Sequence, residues 1–282
     1  MPPVSDVLLV TCAALPDGET GGGLLVHALT ARGATARWAV WDDPAVDWSS
    51  ARIVAVRSAW DYEERLPEFL AWARAVGPAL LNGAEVIAWN TDKRYLLDLA
   101  DAGLPVVPST PASTPDAVRA AVASYGVCVC KPTVGASGRG LVELRPGDAL
   151  PDLGRGPWLV QPLVESVRPE GEVSVFVLGG RPVAQVRKRA GVDDVRVHEE
   201  YGGRSDAEPL GHEHAALALA TVRTAERLLR ARLDYARADL VRLRDGTLAV
   251  GELEVTEPGL YLDLVPEVAE SFADAVVAVL VR

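Results

Sequence analysis

Residues 127–142 read Val-Cys-Val-Cys-Lys-Pro-Thr-Val-Gly-Ala-Ser-Gly-Arg-Gly-Leu-Val, and this stretch organises the rest of the chain. An alternating, β-branched run ends at Lys131, and a loop with three glycines then leads into a second short strand. Glycines let backbone N–H groups approach a ligand closely, so such loops commonly hold phosphates, and Lys131 would add positive charge. An ordinary Gly-rich hairpin turn is the alternative. The stretch is not a Walker loop, because its lysine precedes the glycines.

Composition excludes several classes of partner. The 282 residues are 49% hydrophobic, which is enough for two or three lobes with separate cores. The formal net charge of −11 argues against a nucleic-acid or anionic-membrane partner, because both would repel the chain. No apolar run approaches the roughly 18 residues of a membrane span, and no signal peptide is evident. Since the three cysteines fit buried thiols in a reducing compartment, we expect a cytoplasmic protein.

Strands and helices alternate through the first 86 residues. Strand patterns cover 6–12, 34–41 and 52–57, and helical patterns cover 24–32 and 66–76. This alternation predicts a doubly wound α/β domain at residues 1–86.

A polar group follows the third predicted strand of this domain. Ligands of open α/β sheets gather at the carboxyl ends of strands, where Arg57, Trp60 and Asp61 lie. These residues could therefore bind an amino-acid-like substrate. A local Arg–Asp pair beside a packed tryptophan is the alternative.

The remainder of the chain mixes helices with hairpins. Lys93 stands in the first turn of a predicted helix, where it opposes the helix dipole unless an anion is bound. Hairpins are predicted at 172–188 and 237–255, and the polar residues 192–206 predict a long functional loop. Further helices are predicted at 115–125, 213–230 and 266–281.

Three acidic residues on the last predicted hairpin give the clearest chemical signal. Glu252 and Glu254 are two residues apart and share a face, and Asp239 joins them if the turn is tight. Such carboxylates repel one another unless cations neutralise them, and their oxygens suit Mg²⁺ holding nucleotide phosphates. An exposed sheet face with arginines nearby is the alternative. The histidines and serines lack a zincin pattern or a nucleophile elbow, so a zinc or serine hydrolase is not expected.

Taken in order, these motifs resemble the ATP-grasp ligases over nearly the whole chain, within the branch of glutathione synthetase and RimK. Residues 196–204, Arg-Val-His-Glu-Glu-Tyr-Gly-Gly-Arg, resemble that branch's Arg-x-Asn-x-x-x-Gly-Gly-Arg, with His198 in place of Asn. Glu252-Leu253-Glu254 resembles its Glu-x-Asn metal motif, with a carboxylate replacing the amide. These departures, with residues 57–62 and 90–95, resemble a subgroup of cyclo-ligases that form D-cycloserine from O-ureido-D-serine.

The resemblance implies an α/β protein with α+β lobes and an ATP-grasp fold. Residues 1–86 would be the pre-ATP-grasp domain, 87–165 the lid subdomain and 166–282 the subdomain with the metal site. Asp239, Glu252 and Glu254 would hold Mg²⁺. The residues implied in ATP binding are Lys93, Lys131, Ala136, Ser137, Gly138, Gly140, Gln161, Leu163, Val164 and Glu172. Lys131, Arg196 and His198 would be catalytic, and the substrate contacts would be Arg57, Trp60, Asp61, Arg196 and Arg204.

The resemblance also implies a reaction. ATP would phosphorylate the carboxylate of a small, amino-acid-like substrate, and an amine-type nucleophile would displace the phosphate. Attack within one molecule, as in a cyclo-ligase of antibiotic biosynthesis, lowers the entropic cost. An ATP-grasp ligase that joins two molecules in natural-product synthesis is the alternative, and a non-catalytic nucleotide-binding module is a third interpretation. A homodimer is expected by analogy only.

Overall fold

Three β-sheets, each built from its own segment of the chain, organise the computed structural model, which describes residues 5–192 and 194–281. The first sheet is parallel with the strand order β2-β1-β3. Its strands are β1 (Val7–Thr11), β2 (Ala36–Val40) and β3 (Ile53–Ser58). The helices that follow in this segment are α1 (Gly23–Ala31), α2 (Leu66–Val76) and α3 (Ala84–Asn90).

Helices cover both faces of this parallel sheet. Val7 and Leu9 of β1 share a core with buried residues of α1, whereas Leu8 and Val10 share a second core with α2. Burial on both faces explains why the strands read as continuous apolar runs rather than as alternating ones. The α/β organisation predicted for this segment is confirmed.

The second sheet is antiparallel, with the strand order β4-β7-β5-β6. The strands are β4 (Thr110–Ala112), β5 (Cys128–Pro132), β6 (Val142–Leu144) and β7 (Trp158–Pro162). The accompanying helices are α4 (Tyr95–Asp101) and α5 (Pro115–Tyr125). The side chain of Thr114 caps α5 by accepting from the amide of Ala117. Cys128 and Cys130 point to one face and are buried in the core beneath α5, as their spacing predicts.

The third sheet is antiparallel, with the order β10-β9-β8-β11-β12. Its strands are β8 (Glu172–Leu178), β9 (Arg181–Arg189), β10 (Arg204–Glu208), β11 (Tyr235–Arg242) and β12 (Leu248–Glu254). The helices of this segment are α6 (His212–Leu229) and α7 (Val268–Leu280). Helix α7 returns to the first segment, where its buried residues join the core formed by α1 and β1.

The prediction of a loop over 192–206 is partly wrong, because β10 begins at Arg204 and pairs with β9 along the edge of the sheet. Cross-strand ion pairs support this edge strand, including Arg189 with Asp206. An edge strand that is polar on both sides has no hydrophobic alternation, so its sequence looks like a loop.

Each sheet lies within one of the three predicted segments, but the boundaries themselves stay predictions, and α3 spans the first of them. Buried asparagine side chains join the segments. Asn90 donates to the carbonyl of Leu253 (2.7 Å) and accepts from the amide of Val255 (2.9 Å). None of the helices within residues 5–192 and 194–281 is long and apolar enough to cross a bilayer.

Candidate active site

A cavity of about 530 Å³ is lined by residues from all three segments. Its size lies in the range of small-molecule and cofactor sites, which is about 300–1,000 Å³. The sequence-predicted site residues that line it are Trp60, Lys93, Lys131, Ala136, Ser137, Gly138, Gln161, Leu163, Val164, Glu172, Arg196, His198, Asp239, Glu252 and Glu254. The structure therefore brings together most of the predicted site.

Lysine distribution marks this cavity as an anion site. The chain contains only three lysines, Lys93, Lys131 and Lys188, and all three line the cavity, while the other cations are arginines. Lys131 is the last residue but one of β5, and its ammonium makes no hydrogen bond or ion pair with any described residue. Burial, together with the neighbouring Lys93, lowers the pKa of Lys131. An unpaired, partly buried ammonium raises the free energy of the protein until an anion binds to it. The site therefore fits a phosphate-bearing ligand such as ATP.

Lys93 reaches the cavity from the turn before α4. Its ammonium donates to the carbonyl of Gly135 (2.7 Å) and pairs with Glu252 (3.0 Å). Burial would lower the pKa of Lys93, but Glu252 raises it above the usual value. Lys93 thus ties the Gly-rich loop to the acidic wall of the cavity.

The Gly-rich loop between β5 and β6 is attached to the first segment through Glu63. This carboxylate accepts from the amide of Ala136 and from the guanidinium of Arg139, which also donates to the carbonyl of Trp60 (2.8 Å). Gly138 has a φ of 65°, and a Cβ there would lie 3.1 Å from Nδ1 of His198, so this close approach favours glycine. The loop therefore closes over the cavity with a defined contact.

Gly140, which is predicted to take part in ATP binding, does not line the cavity, and its role stays a prediction. A Cβ at Gly140 would lie 2.9 Å from the Pro132 side chain, so its backbone faces the start of the loop.

The predicted adenine and ribose contacts lie along β7 and β8. Gln161 donates to Ser109 (2.9 Å), and the amide of Leu163 donates to the carbonyl of Val127 (2.9 Å). Glu172, the first residue of β8, forms an ion pair with Lys188. Burial raises the pKa of Glu172 although Lys188 opposes that shift.

Asp239, Glu252 and Glu254 line one wall because of the register of β11 and β12. Asp239 lies opposite Glu252, and Arg237 lies opposite Glu254. Asp239 accepts from Ser174 (2.6 Å), and although burial opposes ionisation, Arg237 and Lys188 hold its pKa well below the usual value. Burial opposes the ionisation of Glu252 as well, but lysines hold its pKa at about 2. The predicted one-sided arrangement of the three carboxylates agrees with this register.

Two cavity residues between these carboxylates are absent from the sequence prediction. Lys188 is 1% exposed and bonds to Asp239 (2.9 Å), and Arg237 donates to both oxygens of the same carboxylate. Two signals could have found them: Lys188 is one of three lysines in the chain, and Arg237 stands two residues before Asp239 on the same strand face.

The acidic wall fits a hard cation by its chemistry. No three His, Cys, Asp or Glu side chains in the described part of the chain converge closely enough to hold a metal ion, and Lys188 and Arg237 are both bonded to Asp239. All candidate donors are carboxylate oxygens, which Mg²⁺ prefers. Burial raises the pKa of Glu254 to about 7, and Asp239 and Glu252 add to the shift although Arg237 opposes it. A divalent cation bound here would favour the ionised form of this carboxyl group.

Three predicted substrate residues do not line the cavity. Arg57 is fully buried, where it donates to Glu19 (3.2 Å) and to the carbonyl of Pro258. Asp61 accepts from the indole of Trp41 (2.9 Å). Arg204 is exposed on the edge strand β10 and pairs with Asp206 within the same strand. Of the three residues predicted at the end of β3, Trp60 lines the cavity, whereas Arg57 is covered by the later loop that contains Pro258.

Arg196 and His198 line the cavity in a segment that precedes β10. The Arg196 guanidinium is paired with Asp194 and stacks 3.4 Å from the ring centroid of Tyr201. Nδ1 of His198 is buried and has no hydrogen-bond partner among the described residues. Burial, with Lys188 and other cations, lowers the pKa of His198 to about 4, so the imidazole is neutral at physiological pH.

A three-sheet fold and a cavity that gathers all three lysines with the carboxylates of the last hairpin are the features of an ATP-grasp ligase. Residues 7–82 match the family model described as the N-terminal domain of D-cycloserine synthetase DcsG. Over 272 residues the chain is 34% identical to the cycloserine biosynthesis protein DcsG of Streptomyces lavendulae, with 89% of this chain and 91% of that protein covered. The chain belongs to the D-cycloserine synthetase family of ATP-grasp ligases.

Solved structures confirm the predicted fold. The crystal structure of D-cycloserine synthetase DcsG has a TM-score of 0.88 and 32% identity, covering 97% of this chain and 99% of that one. D-alanyl-alanine synthetase A of Vibrio cholerae has a TM-score of 0.68 at 15% identity, covering 99% of this chain and 100% of that one, and shares the fold alone. The protein is thus a carbon–nitrogen ligase that uses ATP and forms ADP and phosphate.

Proposed function

We propose that the protein activates a substrate carboxylate by transferring the γ-phosphoryl group of ATP to it, and that an amine-type nitrogen then displaces phosphate. The observation that carries this proposal is the placement of every lysine of the chain in one cavity together with three carboxylates. Lysines offset phosphate charge, and carboxylates hold the cation that accompanies a nucleotide.

In this proposal the lysines and carboxylates have separate tasks. Lys93 and Lys131 neutralise the phosphates from two sides, and the loop of residues 135–138 covers them. Asp239, Glu252 and Glu254 hold Mg²⁺, which when bound offsets charge on the phosphates. Arg196 stabilises the charge that develops during transfer and in the later tetrahedral intermediate.

Glu172, Gln161, Leu163 and Val164 hold the nucleoside. Glu172 accepts hydrogen bonds from the ribose hydroxyls, and the other three residues contact adenine, Leu163 and Val164 largely through backbone atoms. No side-chain nucleophile takes part, so the site requires only positioning and charge stabilisation.

The proposed substrate is O-ureido-D-serine, in keeping with the relatives named for D-cycloserine synthesis. The ureido nitrogen that is bonded to oxygen attacks the activated carboxyl carbon of the same molecule, displaces phosphate and closes the ring. Hydrolysis then releases the carbamoyl group as carbon dioxide and ammonia and gives D-cycloserine, a step in antibiotic biosynthesis. Neutral His198 lies beside Gly138 of the loop. It can accept a hydrogen bond from the tetrahedral intermediate of this attack, or donate one to it, without adding charge.

An ADP-release panel tests the proposal. We expect turnover with O-ureido-D-serine as the single carboxylate, and loss of turnover in Lys131→Ala and Glu252→Ala, while Arg119→Ala, which removes an exposed cation on α5, stays near wild type. Turnover that needs two amino acids together would support a ligase that joins two molecules. ATP binding without turnover of any carboxylate, or near-normal turnover in Lys131→Ala, would refute the assignment.

A further inference from the structure

One buried carboxylate of the cavity, that of Glu257, has no hydrogen-bond or ion-pair partner among the described residues. The residue is only 7% exposed. Asp239, Glu252 and Glu254, by contrast, are each paired with a lysine or arginine. A buried carboxylate without a partner costs free energy, so a ligand that supplies a positive charge would be favourable there.

The backbone around Glu257 is held on both sides. The indole of Trp60 donates to the carbonyl of Glu257 (3.1 Å), and Arg57 donates to the carbonyl of Pro258. The amide of Leu260 donates to Glu19 (2.9 Å). The first segment of the chain therefore holds the loop that follows β12 in place. The position of the Glu257 carboxylate at the cavity depends on these hydrogen bonds.

The surroundings of Glu257 combine negative charge with aromatic surface. Burial, followed by the charges of Glu254 and Glu252, raises its pKa to about 8 although Lys93 opposes the shift. Tyr62 and Trp60 line the same cavity as Glu257, and burial, followed by the charge of Glu257, raises the pKa of Tyr62. Aromatic faces attract organic ammonium ions, whereas Mg²⁺ keeps several waters and prefers polar ligands.

We propose that Glu257 binds the ammonium group of the substrate, so that the carboxylate activated in this cavity is that of an amino acid. The inference rests on the proposed function, and it adds a specificity residue that distinguishes amino acids from simple carboxylic acids. Glu257 follows the metal-side residue Glu254 by three positions. Glu257 and the acidic wall line the same cavity, so the amino and carboxyl groups of one small amino acid would both lie within it.

The test compares two ligands that differ only in the amino group. Binding of O-ureido-D-serine and of 3-(ureidooxy)propanoate, the same molecule without its amino group, is measured by calorimetry on the full chain with Mg²⁺ and ADP. Because a hydrogen bond to a charged group is strong, the wild-type protein should bind the amino acid about tenfold or more tightly than its analogue. Glu257→Gln should remove that preference, because it should weaken the binding of the amino acid and leave the binding of the analogue unchanged. Glu267→Gln, an exposed glutamate at the start of α7, is the matched control and should keep the preference.

Comparison of the two ligands distinguishes a specific loss of ammonium binding from misfolding, because a misfolded cavity would lose affinity for both ligands. An unchanged preference in Glu257→Gln overturns the inference, as does binding of neither ligand to the wild-type protein. A Glu257→Gln variant with a normal preference but a raised Mg²⁺ requirement would make Glu257 a metal ligand instead. ADP release with carboxylates regardless of an amino group would refute this inference alone, whereas a lost preference without any ADP release would refute only the proposed function.

Discussion

Replacing Arg57 by methionine should destabilise the folded protein strongly, because this guanidinium joins the first segment to the loop that follows β12. Arg57 is 0% exposed, donates to Glu19 and Pro258, and lies 5.3 Å and 5.2 Å from the ring centroids of Tyr235 and Phe272. Methionine would fill part of the space but would leave the buried carboxylate of Glu19 without its cation.

The size of the effect follows from this burial. Removing one partner of a buried ion pair typically costs about 3–5 kcal/mol. Glu19 keeps its hydrogen bond from the amide of Leu260, so we expect a loss near the lower end, about 3 kcal/mol. With a urea m-value of about 3 kcal/mol per molar, the unfolding midpoint would fall by about 1 M.

Urea unfolding followed by circular dichroism measures this shift. Arg57→Met/Glu19→Gln should recover part of the loss, since the second substitution removes the uncompensated charge. Arg57→Lys should restore little, because an ammonium cannot reproduce the forked donation or the stacking of a guanidinium. Arg52→Met, at an exposed arginine just before β3, serves as the control.

The opposite pattern would refute the buried-anchor interpretation of Arg57. If Arg57→Met unfolded at the wild-type urea concentration while the KM for the carboxylate substrate rose tenfold, Arg57 would be a substrate contact, as the sequence alone predicted. A double variant no more stable than the single one would also contradict the role of Glu19.

Three further predictions concern the cavity. Lys131 should react with an amine-selective reagent before the other two lysines, because its pKa is lowered and its ammonium is unpaired, and mass spectrometry should show protection by ATP with Mg²⁺; equal labelling of all three would contradict this. Glu63→Gln should release the Gly-rich loop, so that limited proteolysis at residues 135–140 becomes faster without nucleotide. Glu64→Gln, at the exposed neighbouring residue, should leave the rate unchanged, and cleavage of Glu63→Gln at the wild-type rate would refute the contact. His198 takes up a proton near pH 4 in the folded protein but near pH 6.5 in the unfolded chain, so the free energy of unfolding should fall as the pH decreases between these values. The fall should be smaller in His198→Asn, and urea midpoints that change in parallel in the two proteins would contradict this prediction.

Much of the secondary structure was accessible from the sequence, because it depends on neighbours in the chain. The predicted helices at 66–76 and 115–125 match α2 and α5 in their bounds, since capping residues, proline and glycine mark their ends. The period of two was enough to predict that Glu252 and Glu254 share a face, whereas the place of Asp239 depended on a tight turn between the strands, and the register pairs Asp239 with Glu252. Lys131 could be recognised because a Gly-rich loop follows it.

The tertiary structure decided those features that depend on contacts between distant segments of the chain. Arg57 stands at the end of a strand, where ligands commonly bind, but Pro258, 201 residues later, covers it. Edge strand β10 looks like a loop because only its pairing with β9 defines it. The unpaired carboxylate of Glu257 likewise depends on Trp60 and Arg57 fixing its loop. A local pattern determines which face a side chain takes, whereas burial and pairing depend on packing between segments far apart in the chain.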